Sequence, residues 1–266
     1  MKILIIGGGT MGQAITKCLQ TSVSKIETFI VEQDDDTRLK VKELTNNIFR
    51  NVDEALSSEN KNEYEVIILA VKPSAIKSAS KNIKKYLNKE SLVISIAAGV
   101  STAKIEDYIG KIPVVRAMPN LAATVGESAT AICAGGHADA NHIDLAQQLL
   151  LSIGQVVVVD EEQMNIVTAL SGSGPAYFYL LTQYLIDAAS EKGLDEDIAR
   201  ILGEQTLIGA ARTLNKEPDN VEELRIKVTS PGGTTQAAIE DFESNDLASL
   251  VKSAVNAAFL RAEELG

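Results

Sequence analysis

Apolar residues come in short runs closed by glycine, proline or charge, and this rhythm fills the first 160 positions. Ile3–Ile6, Ile26–Val31, Glu65–Val71, Ser91–Ile96, Pro113–Met118, Ser128–Ala134 and Gln155–Val159 are such runs, with a shorter one at Asn47–Arg50. Short, nearly unbroken apolar runs suit strands buried on both faces of a parallel sheet. Between them, the stretch resuming after Thr10, Asp34–Leu44, the segment carrying Ile76, Ile83 and Leu87, and Ala138–Ile153 read as helices. Strands alternating with helices predict a mostly parallel α/β sheet covered on both faces. From Glu161 onward the pattern is helical only, over 161–171, 175–192, 195–214, 219–227, 231–243 and 245–264. The expected division is an α/β domain over 1–160 and an all-helical domain over 161–266.

The first run opens Lys2–Ile15, KILIIGGGTMGQAI, in which Gly7, Gly9 and Gly12 fall on the G-x-G-x-x-G spacing. The first glycine allows a tight turn, the second lets backbone approach a pyrophosphate, and the third lets helix pack on strand. Thr10 and Met11 open the helix, whose N-terminus offers free N–H groups and positive dipole to phosphate. The spacing alone would also suit a glycine-rich turn without function. A strand before it, a helix after it and an acidic residue at the end of the second run, Glu32, favour a dinucleotide-binding (Rossmann-type) domain. Ala70-Val71-Lys72-Pro73, Ala97-Ala98-Gly99 and Arg116–Asn120 lie at the carboxyl ends of later strands, where open α/β sheets bind ligands. For Lys72 and Arg116 a solvated surface charge and a role near phosphate or substrate are equally open.

In the helical half, Pro175 suits a first helical position and Gly193 the left-handed residue that ends a helix. Between them, Ala176–Leu181 and Tyr184–Ile186 are apolar around nearly the whole circumference, so this helix must be buried. A domain this small offers little cover, and a second subunit is the expected one. Val228–Thr235 reads VTSPGGTT, with Ser230 as an N-cap and Pro231 as the first helical residue. Capping does not explain Gly232 and Gly233, which weaken a first turn; a carboxylate seated on exposed N–H groups does.

The net charge of −11 argues against a nucleic-acid partner. No segment has the ~18 apolar residues needed to span a bilayer, and no signal peptide is visible, so no membrane partner is expected. Cys18 and Cys133 suggest neither a disulfide framework nor a metal site, and the chain reads as reduced and cytoplasmic. His137 and His142 read as surface residues.

With GGGTMGQAI, AVKP, SIAAGV, RAMPN, SGSGPAY and VTSPGGTT in this order, the chain resembles the pyrroline-5-carboxylate reductase family. The resemblance implies a Rossmann domain, a helical domain that interlocks two subunits, and often a larger ring of dimers. It implies hydride transfer from NADPH or NADH to a cyclic imine bearing a carboxylate, giving proline, the last step of proline biosynthesis. The carboxylate would sit on Ser230, Gly232, Gly233 and Thr234, with Asn120 as a further substrate contact, and the Thr235 hydroxyl would meet the ring nitrogen. Many relatives carry small polar or basic residues after the second strand; here Glu32 tilts the expectation toward NADH. A β-hydroxyacid dehydrogenase, the nearest enzyme alternative, looks for a lysine on the long helix, where this chain has only Lys192 at the far end. A non-catalytic NAD-binding regulator on the same scaffold is the other alternative, and the intact SPGGTT argues against it.

Overall fold

The computed structural model describes residues 1–22, 25–56 and 64–265. Eight strands form one sheet: β1 (Lys2–Ile6), β2 (Glu27–Val31), β3 (Ile48–Phe49), β4 (Val66–Leu69), β5 (Leu92–Ser95), β6 (Val114–Met118), β7 (Ser128–Ala134) and β8 (Gly154–Val158). Their spatial order is β3-β2-β1-β4-β5-β6-β7-β8. The first six run parallel, β7 runs antiparallel to β6, and β8 runs parallel to β7. The reversal follows from the connection. Residues 119–127, with a 3-10 turn at Leu121–Val125 and the left-handed Gly126, join β6 to β7, and so short a link makes a hairpin, not a crossover.

Successive strand residues feed opposite faces of the sheet. Ile3, Ile5, Ile30, Ile68 and Ile94 pack on one side against α1 (Thr10–Ser22), α2 (Asp35–Val41) and α6 (Ala140–Leu150). Leu4, Ile6, Val31, Ile67 and Leu69 pack on the other against α3 (Val52–Leu56), α4 (Ile76–Lys84) and α5 (Thr102–Ile109). Both faces are therefore dry, and burying each such side chain is worth about 1.5–3 kcal/mol. Cys18, on α1, packs against the first of these cores. A smaller third core joins Ala131, Cys133 and Met164, the last from α7 (Met164–Val167).

The expected continuous helix over 161–171 is instead a 3-10 turn at Glu161–Gln163, then α7, then a π-turn at Thr168–Gly172. Two positions account for the widened turn. A Cβ on Gly172 would lie 2.6 Å from the Met118 methyl, and Asn120 Nδ2 donates to the Ser171 carbonyl at 3.0 Å.

The rest is α8 (Gly174–Glu191), α9 (Glu196–Lys216), α10 (Val221–Lys227), α11 (Thr234–Ser244) and α12 (Leu247–Leu265). Gly193 takes the left-handed conformation expected of it, with φ of 96°. By its internal contacts the chain divides into Met1–Ser173 with Ala258–Gly266 and, separately, Gly174–Ala257. The expected division after residue 160 thus falls inside the first of these two units. Within the second unit α8 and α9 pack so closely that a Cβ on Gly203 would lie 2.5 Å from Ile186 Cγ1. Gly174 and Ala199 are the only buried residues among those described there, and Phe178, Tyr184 and Leu185 stay more than half exposed.

Candidate active site

In the first unit the site grows from the end of β1. Gly7 has φ of 110°, and a Cβ there would lie 2.5 Å from the Ala70 carbonyl oxygen, so only glycine fits. A Cβ on Gly12 would lie 2.0 Å from the Gly7 carbonyl oxygen, which fixes how closely α1 packs on the loop. Gly9 is different: it is exposed, and nothing lies within 4 Å of where a Cβ would stand. Its place is open to an approaching ligand. Thr10 and Met11, in the first turn of α1, make no backbone N–H bond among the described residues. The glycine cradle and the open helix end thus fit a dinucleotide pyrophosphate. Strand order reverses between β1 and β4, which places the crevice there.

Glu32 follows β2 and its carboxylate is doubly held. Oε2 accepts from the Gly8 N–H at 2.8 Å and Oε1 from the Asp34 N–H at 2.8 Å. Arg38 donates to the Glu32 and Gln33 carbonyls, both at 3.3 Å, and to Asp35 Oδ1. Arg50 reaches the same Asp35 oxygen at 2.9 Å. The Arg38 guanidinium, and after it Arg50, hold the Asp35 carboxyl below its usual range. Across the crevice Ala70, Val71 and Pro73 are half-buried and Lys72 is exposed. Ala97 and Gly99 are buried while Ala98 is half-buried, and Gly99 is left-handed at φ of 75°.

Arg116 and Asn120, both singled out in the sequence, are held by other groups of the protein. Arg116 is neither a solvated charge nor open to ligand. It is 4% exposed and faces Glu161 Oε1 at 3.4 Å. Asn120 caps the 3-10 turn by accepting from the Ala122 N–H at 3.1 Å, and it also grips Ser171. His142 shares a capping box with Asp139 at the start of α6. Sequence reasoning missed Glu161 altogether, because its partners are 45 and 59 residues away in the chain.

In the second unit, α11 begins later than expected. Ser230 is not its N-cap and Pro231 is not its first residue: the cap is Gly233, and the helix starts at Thr234. The reason is Gly232, whose φ of 70° is left-handed and breaks the helical path. Ser230 through Gly233 instead close a turn, with the Gly233 N–H donating to the Ser230 carbonyl at 3.0 Å. The Gly232 N–H is taken by Gln236 Oε1 at 2.7 Å. That leaves Thr234, Thr235 and Gln236 as the first-turn residues whose N–H groups make no hydrogen bond among the described residues. The Thr235 side chain is half-buried and its hydroxyl has no partner among them either. Such a helix end, with three open donors and a hydroxyl beside them, suits a small carboxylate. No group of three or more His, Cys, Asp and Glu able to hold a metal occurs among the described residues. No helix among them is long and apolar enough to cross a membrane.

Known proteins share this combination. Residues 161–265 match the family model described as pyrroline-5-carboxylate reductase dimerisation. Residues 2–99 match that of NADP oxidoreductase, coenzyme F420-dependent. The pyrroline-5-carboxylate reductase of Haemophilus influenzae is 36% identical over 269 residues, spanning 99% of this chain and 97% of that one. Among solved structures, a pyrroline-5-carboxylate reductase from Coxiella burnetii superposes with a TM-score of 0.89 at 36% identity, covering 99% of this chain and 98% of that one. The Plasmodium falciparum pyrroline carboxylate reductase, solved with NADP bound, gives 0.82 at 29% identity, covering 100% and 98%. A nicotinamide-binding sheet domain, a helical domain built for dimerisation and full-length similarity at this level place the chain in the pyrroline-5-carboxylate reductase family.

Proposed function

We propose that the protein reduces 1-pyrroline-5-carboxylate to L-proline at the expense of NADH or NADPH, closing proline biosynthesis in the cytoplasm. The observation that carries this reading is the start of α11, an open helix end with Thr235 beside it. Residues 1–160 serve as the dinucleotide-binding domain and 161–266 as the substrate-binding and dimerisation domain. Gly7, Gly9, Thr10, Met11 and Gly12 hold the pyrophosphate, Glu32 the adenosine ribose, and 70–73 with 97–99 the remainder. The nicotinamide, when bound, supplies the hydride. The Thr234 and Thr235 N–H groups receive the substrate carboxylate beside Ser230, Gly232 and Gly233, one step further along than the sequence implied, since the Gly232 N–H is already engaged. The Thr235 hydroxyl then lies against the ring nitrogen. A protonated imine accepts hydride at carbon and keeps its proton on nitrogen, so no strong general acid is required of the chain. Asn120 is a further candidate substrate contact, its Nδ2 also donating to the Ser171 carbonyl.

NADH is the preferred cofactor in this reading. A carboxylate pinned by two N–H groups stands where a 2′-phosphate would come, and the nearest arginines are already paired with Asp35. The assembly is at least a homodimer, because the apolar face of α8 is left exposed in the single chain. The deciding experiment follows oxidation of NADH and of NADPH with pyrroline-5-carboxylate and with pyrroline-2-carboxylate. Turnover confined to the second imine would overturn the substrate assignment.

A further inference from the structure

Arg116 is an anomaly in β6. Its neighbours Val114, Val115 and Ala117 are apolar and buried, and an aliphatic residue would pack among them at no electrostatic cost. Instead a guanidinium lies 4% exposed, its single ion pair is 3.4 Å long, and its Nη2 is buried with no hydrogen-bond partner among the described residues. Desolvating a charge costs several kcal/mol, and one long contact does not offset that. The arrangement is therefore not there for stability alone.

The oxygen that Arg116 faces, Glu161 Oε1, is shared with a second group. Oε1 accepts from the Thr102 N–H at 2.8 Å and Oε2 from the Thr102 hydroxyl at 2.6 Å. Thr102 is 3% exposed and is the first residue of α5. Ser101 caps that helix by accepting from Lys104 N–H at 3.3 Å, and Glu161 satisfies the donor that Ser101 leaves. Residues 96–101 are consequently fixed at both ends. The Ile96 N–H bonds the Leu69 carbonyl at 3.1 Å on the strand side, and Thr102 bonds Glu161 on the helix side.

This loop contains Ala97, Ala98 and Gly99 and stands at the carboxyl end of β5, next to β4. With the adenosine ribose at Glu32, beyond β1 on the other side, the nicotinamide half of a dinucleotide spanning the crevice comes to the β4–β5 side. We propose that Glu161, steadied by Arg116 and acting through Thr102, is a positioning residue for the nicotinamide half of the cofactor. The inference rests on the cofactor reading above. Glu161 also begins the 3-10 turn that follows the last strand, so one carboxylate ties the ligand-side loop to the segment leading out of the sheet.

The test compares binding of NADH with binding of ADP-ribose, which has the adenosine half and pyrophosphate but no nicotinamide. Dissociation constants are measured by fluorescence titration and calorimetry for wild type, Glu161→Gln, Thr102→Val and Thr102→Ser, with melting curves for each. Thr102→Val is nearly isosteric and loses only the hydroxyl, so it reports even if Glu161→Gln folds poorly. The expected result is that Thr102→Val and Glu161→Gln weaken NADH about tenfold, the scale of one charge-assisted hydrogen bond. ADP-ribose affinity should stay within about twofold, and Thr102→Ser should restore NADH binding. A larger primary isotope effect with 4-deuterated NADH in Thr102→Val would support the same conclusion. Equal losses for the two ligands, or no loss for either in a folded Thr102→Val, overturns the positioning role. A wild-type chain that binds neither ligand overturns the cofactor reading itself.

Discussion

Glu32 uses both carboxylate oxygens on backbone N–H groups, so it can turn aside from a ligand only by giving up two hydrogen bonds. A 2′-phosphate at ~4 Å from it meets a repulsion of about 1 kcal/mol in water and about 4 at an effective dielectric of 20. Glu32→Ser should therefore raise kcat/KM for NADPH relative to NADH by roughly fivefold to several hundredfold; an unchanged ratio means that Glu32 does not read the ribose. Thr235 poses a separate question, because its hydroxyl has no partner among the described residues while its N–H belongs to the helix end. Thr235→Ala keeps the donor and loses the hydroxyl. Turnover should fall about tenfold or more, the worth of one hydrogen bond to a charged group, with cofactor affinity unchanged; wild-type turnover would remove Thr235 from the chemistry. Cys133 lies at the other extreme. Burial first, then the Glu161 charge, pushes its thiol up from 9.0 to about 12. A raised thiol pKa favours the neutral form, so its stabilising contribution is complete below pH 9.0 and is lost as pH rises toward 12. At pH 8 the thiolate is about one part in ten thousand. Iodoacetamide should spare Cys133 in the native chain and label it after unfolding; labelling without unfolding would contradict its burial. Glu32 was legible from the sequence because its spacing from Gly12 carries the signal, whereas Glu161 was not, since bonds over 45 and 59 residues leave no local pattern.

Elements were readable wherever a period or a stop residue marked them. The runs closed by glycine became β1, β5 and β7, and Gly193 ends α8 as its position suggested. Strand direction left no such mark: the β6–β7 run looks the same in sequence whichever way it points, and the shortness of the Leu121–Val125 link decides it. The helix α5 passed unread because it is short and its buried stripe holds only two aliphatic residues, Ile105 and Ile109, beside the polar Thr102. The start of α11 was misplaced by three residues because Pro231 mimics a first helical position, while the conformation of Gly232, invisible in the letters, postpones the helix. The contact between α1 and the β1 loop is the most restrictive in the first unit. Gly12→Ala puts a methyl 2.0 Å from the Gly7 carbonyl, so the helix must shift. Overpacking of this kind costs about 1–3 kcal/mol. The melting temperature should fall and dinucleotide affinity with it; a variant with wild-type affinity would show that the pyrophosphate is held elsewhere.

At the scale of the molecule, the second unit has too little interior to stand alone. Its apolar surface includes Phe178 at 60%, Tyr184 at 60% and Leu185 at 53% exposure, all on α8. An apolar face of that extent on a single helix marks an interface. Leu181→Asp, at a position 46% exposed in the single chain, should shift sedimentation toward monomer or aggregate and make melting depend less on concentration. Folded, active wild-type monomer would refute the dimer. The division of the chain is also not a simple sequence of first and second. Residues 258–266, with Ala262 buried at 3%, belong by contact to the same unit as residues 1–173. The helical unit is therefore an insertion, bracketed on both sides by parts of the sheet unit. During synthesis the ribosome must release all of residues 174–257 before the sheet unit can acquire its last segment. Completion of the sheet unit thus waits on the helical one, and a single cleavage between residues 173 and 174 would still leave the two joined through α12.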